Sequence, residues 1–204
     1  TQGVSSAASD VYKRQVDILI DASSSRKQMQ EQIAAQAYIL SKSLKQCKIP
    51  VQIYSYSSSR GYTILHILTN CKAERADELF RYVAAGNNRD GLALRAAGHL
   101  MENGEKRKRI LLVLTDASPQ DDQDSGEGAF YKNKEYTDLL AIQDTAKEVQ
   151  NLKQKGIQVI GIFMGSARSG EVAGKIFGQN LIKIRNISDF SQAVGRVLQE
   201  IVFS

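Results

Sequence analysis

The sequence predicts an α/β domain, a three-layer αβα sandwich whose central sheet is mostly parallel and carries one antiparallel edge strand. Short apolar runs alternate with stretches of helical periodicity, and this rhythm implies strand-helix-strand units with helices covering both sheet faces. Only one pair of runs is joined by a segment short enough for a hairpin, so a single strand runs backwards. The length, 204 residues, suits one domain able to bury roughly 70% of its unfolded surface.

The strands are expected at 16–20, 51–56, 62–68, 110–114, 158–163 and 181–184. The second and third flank Ser57-Ser58-Ser59-Arg60-Gly61, a short glycine-containing segment that suits an antiparallel turn. Helices are expected at 27–46, 74–84, 91–103, 138–155, 171–177 and 188–202. In the first, Ile33, Ala37, Leu40 and Leu44 recur three or four apart, with Met29 extending the buried stripe. Asn103-Gly104 and Lys155-Gly156 read as helix ends, and Ser188 as the N-cap of the last helix.

Composition excludes several classes. Cys47 and Cys71 are far apart and form no Cys-x-x-Cys pair, which argues for reduced, structural thiols in a cytoplasmic setting. No apolar run approaches the ~20 residues of a membrane span, so direct membrane insertion is not expected. The net charge of +5 is scattered apart from Lys106-Arg107-Lys108-Arg109. Without aromatic residues interleaved on a basic face, nucleic-acid binding is not expected, although the charge favours an acidic protein partner.

Chemistry concentrates at strand ends. Asp21, Ser23 and Ser25 directly follow the first apolar run, offering a carboxylate and two hydroxyls at a spacing of two. Oxygen donors of this kind suit Mg²⁺, with Mn²⁺ as the alternative. In an open parallel sheet ligands bind outside the carboxyl ends of the strands, where neighbouring loops diverge. Two further oxygen-rich segments, Asn87-Asn88-Arg89-Asp90-Gly91 and Thr115-Asp116-Ala117-Ser118, fall where they can join the same rim. Each has a bland reading as well, since Asp caps helices and polar loops are common.

At these residues the chain resembles a von Willebrand factor A domain with a metal-ion-dependent adhesion site. A narrower likeness lies in Cys47-Lys48-Ile49-Pro50, Gly61-Tyr62-Thr63-Ile64-Leu65, the stretch 88–98, Asp144-Thr145-Ala146 and Ile176-Phe177-Gly178. These resemble the carboxyl-terminal domain of nitric-oxide reductase activation proteins (NorD-like), a group similar to cobaltochelatase CobT subunits. The resemblance implies a Rossmann-like fold and a metal held by Asp21, Ser23, Ser25 and Asp116, with one coordination position taken by a partner's acid. The middle ligand departs from the superfamily threonine: Asn88 stands at that position, and Asp90 is the other choice, favoured slightly as ligand or near neighbour. With Asp90 the site has three acids, more than the +2 of the ion, which weakens the pull on an external carboxylate. Partners implied are an AAA+ ATPase of the MoxR type and a client metalloenzyme such as a nitric-oxide reductase. Ser118, Asp121 and Asp122 form an expected partner-binding rim, at the start of an acidic stretch that reads as an exposed loop.

Catalysis is not expected. Gly165 to Gly170 has the glycine spacing of a phosphate loop, but Glu171 stands where lysine must meet the phosphates. His66 and His99 fall in a strand and a helix, with no triad in view. A haloacid-dehalogenase-like phosphatase needs an acid where Ser23 stands. A Mg²⁺-dependent hydrolase or phosphotransferase on a doubly wound sheet remains the alternative function. The domain is taken as 16–204; residues 1–15 are expected to be disordered and foreign, because 5–15 resemble peptides that sequencing adaptors leave in assembled genes, implying a lost upstream region.

Overall fold

A computed structural model of the chain describes residues 14–70, 77–102, 108–121 and 135–203. The strands are β1 (Arg14–Asp21), β2 (Val51–Ser59), β3 (Tyr62–Thr69), β4 (Lys108–Thr115), β5 (Ile157–Phe163) and β6 (Leu181–Lys183). The α-helices are α1 (Gln30–Gln46), α2 (Asp90–Glu102), α3 (Asp138–Gln154), α4 (Ala167–Phe177) and α5 (Ile187–Phe203). The strands form one six-stranded sheet in the order β3-β2-β1-β4-β5-β6, parallel except for β3. The expected fold class and its single reversed edge strand are therefore present.

Alternation along the strands divides the core. On one face Val16, Ile18 and Ile20 of β1 join Ile110, Leu112 and Leu114 of β4 beneath Ile33, Ala37, Leu40 and Leu44 of α1 and Ala193 and Val197 of α5. On the other, Leu19, Leu111, Val113 and Val159 meet Ala93, Leu94 and Ala97 of α2, Val149 and Leu152 of α3, and Ile176 and Phe177 of α4. Period two sends successive residues to opposite faces, so both must be apolar where helices cover both. Asp17 interrupts this run; it is fully buried, with its carboxylate taken by Tyr54 Oη at 2.7 Å and Gln15 Nε2 at 2.9 Å.

Several boundaries differ from expectation. The hairpin turn is shorter than 57–61: β2 and β3 extend until only Arg60-Gly61 remain, both at positive φ (52° and 79°), as a two-residue turn of primed type requires. Residues 24–29 form a 3-10 helix ahead of α1, with Arg26 as its buried residue. The helix expected at 74–84 is, among the described residues, only a 3-10 segment at Asp77–Arg81. There the chain must turn after burying Leu79 and Tyr82 to hydrogen-bond Ala22 through Ala85 N–H, 2.7 Å from its carbonyl. α4 starts at Ala167, four residues earlier than expected: the glycine-spaced segment is its entry, with Ser166 Oγ capping Ser169 N–H at 3.3 Å. α5 begins at Ile187, capped by Asn186 rather than Ser188: Asn186 Oδ1 accepts Asp189 N–H at 3.0 Å. Gly156 ends α3 at φ +75° as expected, whereas Asn103 and Gly104 lie outside the described residues.

Arg14 and Gln15, assigned from sequence to the leading segment, pair with Lys108 and Arg109 as the start of β1; residues 1–13 lie outside the described residues. Cys47 is a free, exposed thiol, and Cys71 lies outside the described residues. No helix among the described residues is long and apolar enough to cross a membrane.

Candidate metal centre

The strand order reverses between β1, which leads outward to β2 and β3, and β4, which leads to β5 and β6, so the crevice of an open sheet opens above these two. Asp21 ends β1 and Asp116 follows β4 at that point. Backbone hydrogen bonds gather the third segment there. Ala22 N–H reaches Tyr56 O (2.8 Å), Ser24 N–H reaches Gly86 O (2.9 Å), and Asn88 and Gln120 exchange N–H···O bonds of 2.9 and 3.1 Å. Gly86 lies at φ +75°, and a Cβ there would stand 2.5 Å from Ser58 O.

The side chains form a short relay. Asp21 Oδ1 accepts Ser23 N–H at 2.8 Å, the Ser23 and Ser25 hydroxyls stand 2.9 Å apart, and Ser25 Oγ donates to Asp116 Oδ2 at 2.8 Å. Asp116 is braced by Ser118 N–H on Oδ1 at 3.2 Å. Asp90, at the start of α2, accepts on Oδ1 from Tyr56 Oη (2.9 Å) and Asn88 Nδ2 (2.8 Å). Asn88 Oδ1 in turn accepts Gln120 N–H at 3.2 Å. Asp21 and Asp90 are buried, while Ser25 is exposed and the Asp116 side chain is 13% exposed, so the site has a deep acidic end and an open mouth.

The electrostatics follow from this depth. Burial first, then the Asp116 carboxylate, push the Asp21 pKa from 3.8 up to about 6. Burial and the charge of Asp21 hold the Asp90 carboxyl well above its usual range. Burial and Asp90 likewise raise the Tyr56 hydroxyl, which stays protonated and donates. Three carboxylates thus share one low-dielectric rim, a placement favourable only when some positive charge answers them.

Among the described residues, no three His, Cys, Asp or Glu side chains form by themselves a group that could hold a metal ion, so the fit turns on the hydroxyls. Asp21 Oδ2 is the informative atom: it is buried and has no hydrogen-bond partner. A buried ionised oxygen left unpaired is costly. A divalent cation beside it, shared with the Ser23 and Ser25 oxygens, supplies the missing interaction, and the donor set fits a hard, oxygen-loving ion.

The three expected segments therefore converge, bringing together Asp21, Ser23, Ser25, Asp90, Asn88, Asp116 and Ser118. Asp121 does not belong to an open rim. It is 1% exposed, with Arg89 Nε at 2.6 Å from Oδ2 and Asn87 Nδ2 at 3.2 Å from Oδ1, because the acid is needed to balance a cation folded against the Tyr136 ring. Asp122 lies outside the described residues. His66 and His99 are both exposed, on β3 and α2.

Sequence reasoning missed Arg26, Tyr56 and Tyr82. Arg26 is 2% exposed; its Nη1 donates to Met164 O at 2.6 Å and stands 3.7 Å from Asp116 Oδ2. Tyr82 Oη donates to Asp21 O at 2.6 Å. Only Tyr56 left a signal, as an aromatic with a polar tip near the rim end of a buried strand. A cation beside Ser25 reads as a solvated helix start, and Tyr82 is distant in sequence.

The von Willebrand factor type A domain model matches residues 16–201. No curated protein matches the sequence. Among solved structures, the von Willebrand factor domain of the type V pili tip protein Mfa5 from Porphyromonas gingivalis is 11% identical, with a TM-score of 0.66, over 94% of this chain and 97% of that one. Manganese-loaded TRAP protein from Plasmodium vivax is 14% identical, TM-score 0.62, over 94% and 74%. The pilus adhesin SpaC from Lactobacillus rhamnosus GG is 15% identical, TM-score 0.64, over 93% of this chain, which spans only 30% of the adhesin's length. At such identities these likenesses speak for the fold alone. With the family model covering nearly the whole described sheet and its helices, the chain belongs to the von Willebrand factor type A domain family.

Proposed function

We propose that this domain is a non-catalytic, divalent-metal-dependent protein-binding module. Asp21, Ser23 and Ser25 would hold Mg²⁺ or Mn²⁺, with Asp116 completing the site from β4 and Asp90 adding charge from beneath. When bound, the ion supplies a hard Lewis acid able to accept a carboxylate from a partner protein. The observation that carries the reading is the buried, unpartnered Asp21 Oδ2 beside two hydroxyls and a second acid. The manganese-loaded relative in fold agrees with the choice of a divalent cation. Asn88 is the weaker ligand choice, since both ends of its carboxamide are already engaged.

Binding is preferred to hydrolysis because the position needing a proton donor is Ser23, whose hydroxyl is engaged with Ser25. The finer reading, service beside a MoxR-type AAA+ ATPase that activates a metalloenzyme such as nitric-oxide reductase, rests on the sequence motifs alone. The test is titration calorimetry with Mg²⁺ and Mn²⁺. Uptake of one ion by the wild type and none by Asp21→Ala is expected; a wild type that takes up neither ion refutes the reading. For the finer reading, capture of an AAA+ ATPase should fail in EDTA.

A further inference from the structure

We infer that Arg26 is a built-in counter-cation that weakens the domain's hold on its metal while keeping the loaded site receptive to an acid. The inference rests on the metal-binding reading above and concerns how this chain tunes that site.

Arg26 lies in the 3-10 turn directly after Ser25, and its side chain runs inward rather than into solvent. Its Nη1 is anchored by the carbonyl of Met164, the residue after β5, whose own N–H is bonded to Thr115 O at 3.0 Å. This anchoring fixes the guanidinium 3.7 Å from Asp116 Oδ2, the same oxygen that accepts the Ser25 hydroxyl. Nε and Nη2 are buried without hydrogen-bond partners. A guanidinium in this state is expensive to keep; what it obtains in return is nearness to the Asp116 carboxylate and to the charge of Asp21. Its place is electrostatic, not a surface ion pair.

The charge count gives the consequence. Asp21 and Asp116 carry −2, or −3 with Asp90 ionised, and a divalent ion brings +2, so without Arg26 the loaded site is neutral or at −1 and has no net attraction for an incoming carboxylate. Arg26 adds one positive charge in either case. The same positive charge opposes entry of the ion, because two cations then compete for Asp116. Arg26 is thus a positioning residue acting through Asp116: metal affinity is lowered, and acid affinity of the loaded site is raised.

The direction of this effect separates it from a structural role. Damage to the rim loosens metal, whereas loss of a competing cation tightens it. Mn²⁺ binding to the full chain is measured by calorimetry and by the electron paramagnetic resonance signal of free Mn²⁺, for wild type, Arg26→Met and Arg26→Lys. Melting in EDTA reports whether each variant is folded. The expected result is a Kd for Mn²⁺ tighter by about tenfold in Arg26→Met, with Arg26→Lys near wild type. Equal or weaker binding by a folded Arg26→Met overturns the inference and leaves the metal site standing. If Arg26→Met does not fold, Arg26→Gln, which keeps a donor for Met164 O, replaces it under the same criterion. A wild type silent to Mn²⁺ overturns both this inference and the reading beneath it.

Discussion

Asp21→Asn should stabilise the metal-free domain while abolishing its response to metal. Asp21 is fully buried, and its pKa is pushed from 3.8 to about 6, chiefly by burial and then by Asp116. A folded-state pKa above the unfolded value means the folded chain holds the proton more tightly. The stability this contributes is complete below pH 3.8 and lost as pH rises through about 6. At pH 7.5 in EDTA the loss is about 3 kcal/mol, from about two pKa units at 1.36 kcal/mol each. Asparagine removes the charge yet keeps an oxygen for Ser23 N–H, which now lies 2.8 Å from Oδ1. For a domain of this size the gain corresponds to a melting temperature roughly 6–12 °C higher. The assay is thermal unfolding of both proteins across pH 4 to 8 in EDTA, then with Mg²⁺. The gap should close towards pH 4, where wild-type Asp21 is protonated, and the order should reverse with Mg²⁺, which rescues only the carboxylate. An asparagine variant that melts no higher than wild type at pH 7.5 in EDTA, or a gap indifferent to pH, refutes the argument that Asp21 is an unanswered buried charge.

Asp121→Ala should cost roughly 3 kcal/mol in urea unfolding by removing the buried acid that faces Arg89, and should leave metal affinity within about twofold. A large change in metal affinity without loss of stability would return Asp121 to the binding rim. Gly86→Ala combines a φ of +75° with a Cβ 2.5 Å from Ser58 O, whereas Gly156→Ala has the same φ and open space. Strain alone costs about 1 kcal/mol at Gly156, and the clash should make Gly86→Ala at least ~2 kcal/mol worse than wild type. Equal melting temperatures for the two variants would show that the loop carrying Gly86 yields freely.

Some of the site was legible because local chemistry announces it. Asp21, Ser23 and Ser25 are close in sequence and directly follow an apolar run, so their place at a strand end needs no tertiary information. Asp116 was readable for the same reason after β4. Asp121 was misplaced because acidity suggests exposure, and nothing near it in sequence shows that Arg89 folds back to neutralise it. The early start of α4 was missed because glycine spacing around Ser166 imitates a loop, while its capping hydroxyl acts only once the helix forms. The 3-10 segment at 77–81 was read as a longer helix because periodicity does not register the pull of the Ala22 carbonyl on Ala85.

Patterning by itself determined the sandwich. Continuous apolar runs at β1 and β4, helical stripes such as Ile33-Ala37-Leu40-Leu44, and one short glycine-containing turn segment at 57–61 leave little choice of architecture, because each apolar face must be covered. Only the folded chain decided the charge balance of the rim. Arg26 reaches Asp116 and Met164, Tyr56 reaches Asp90, and Tyr82 reaches Asp21, each across tens of residues. Whether a charged or polar group is buried, and beside what, depends on contacts between distant segments, and no local pattern encodes the dielectric in which a carboxylate will sit.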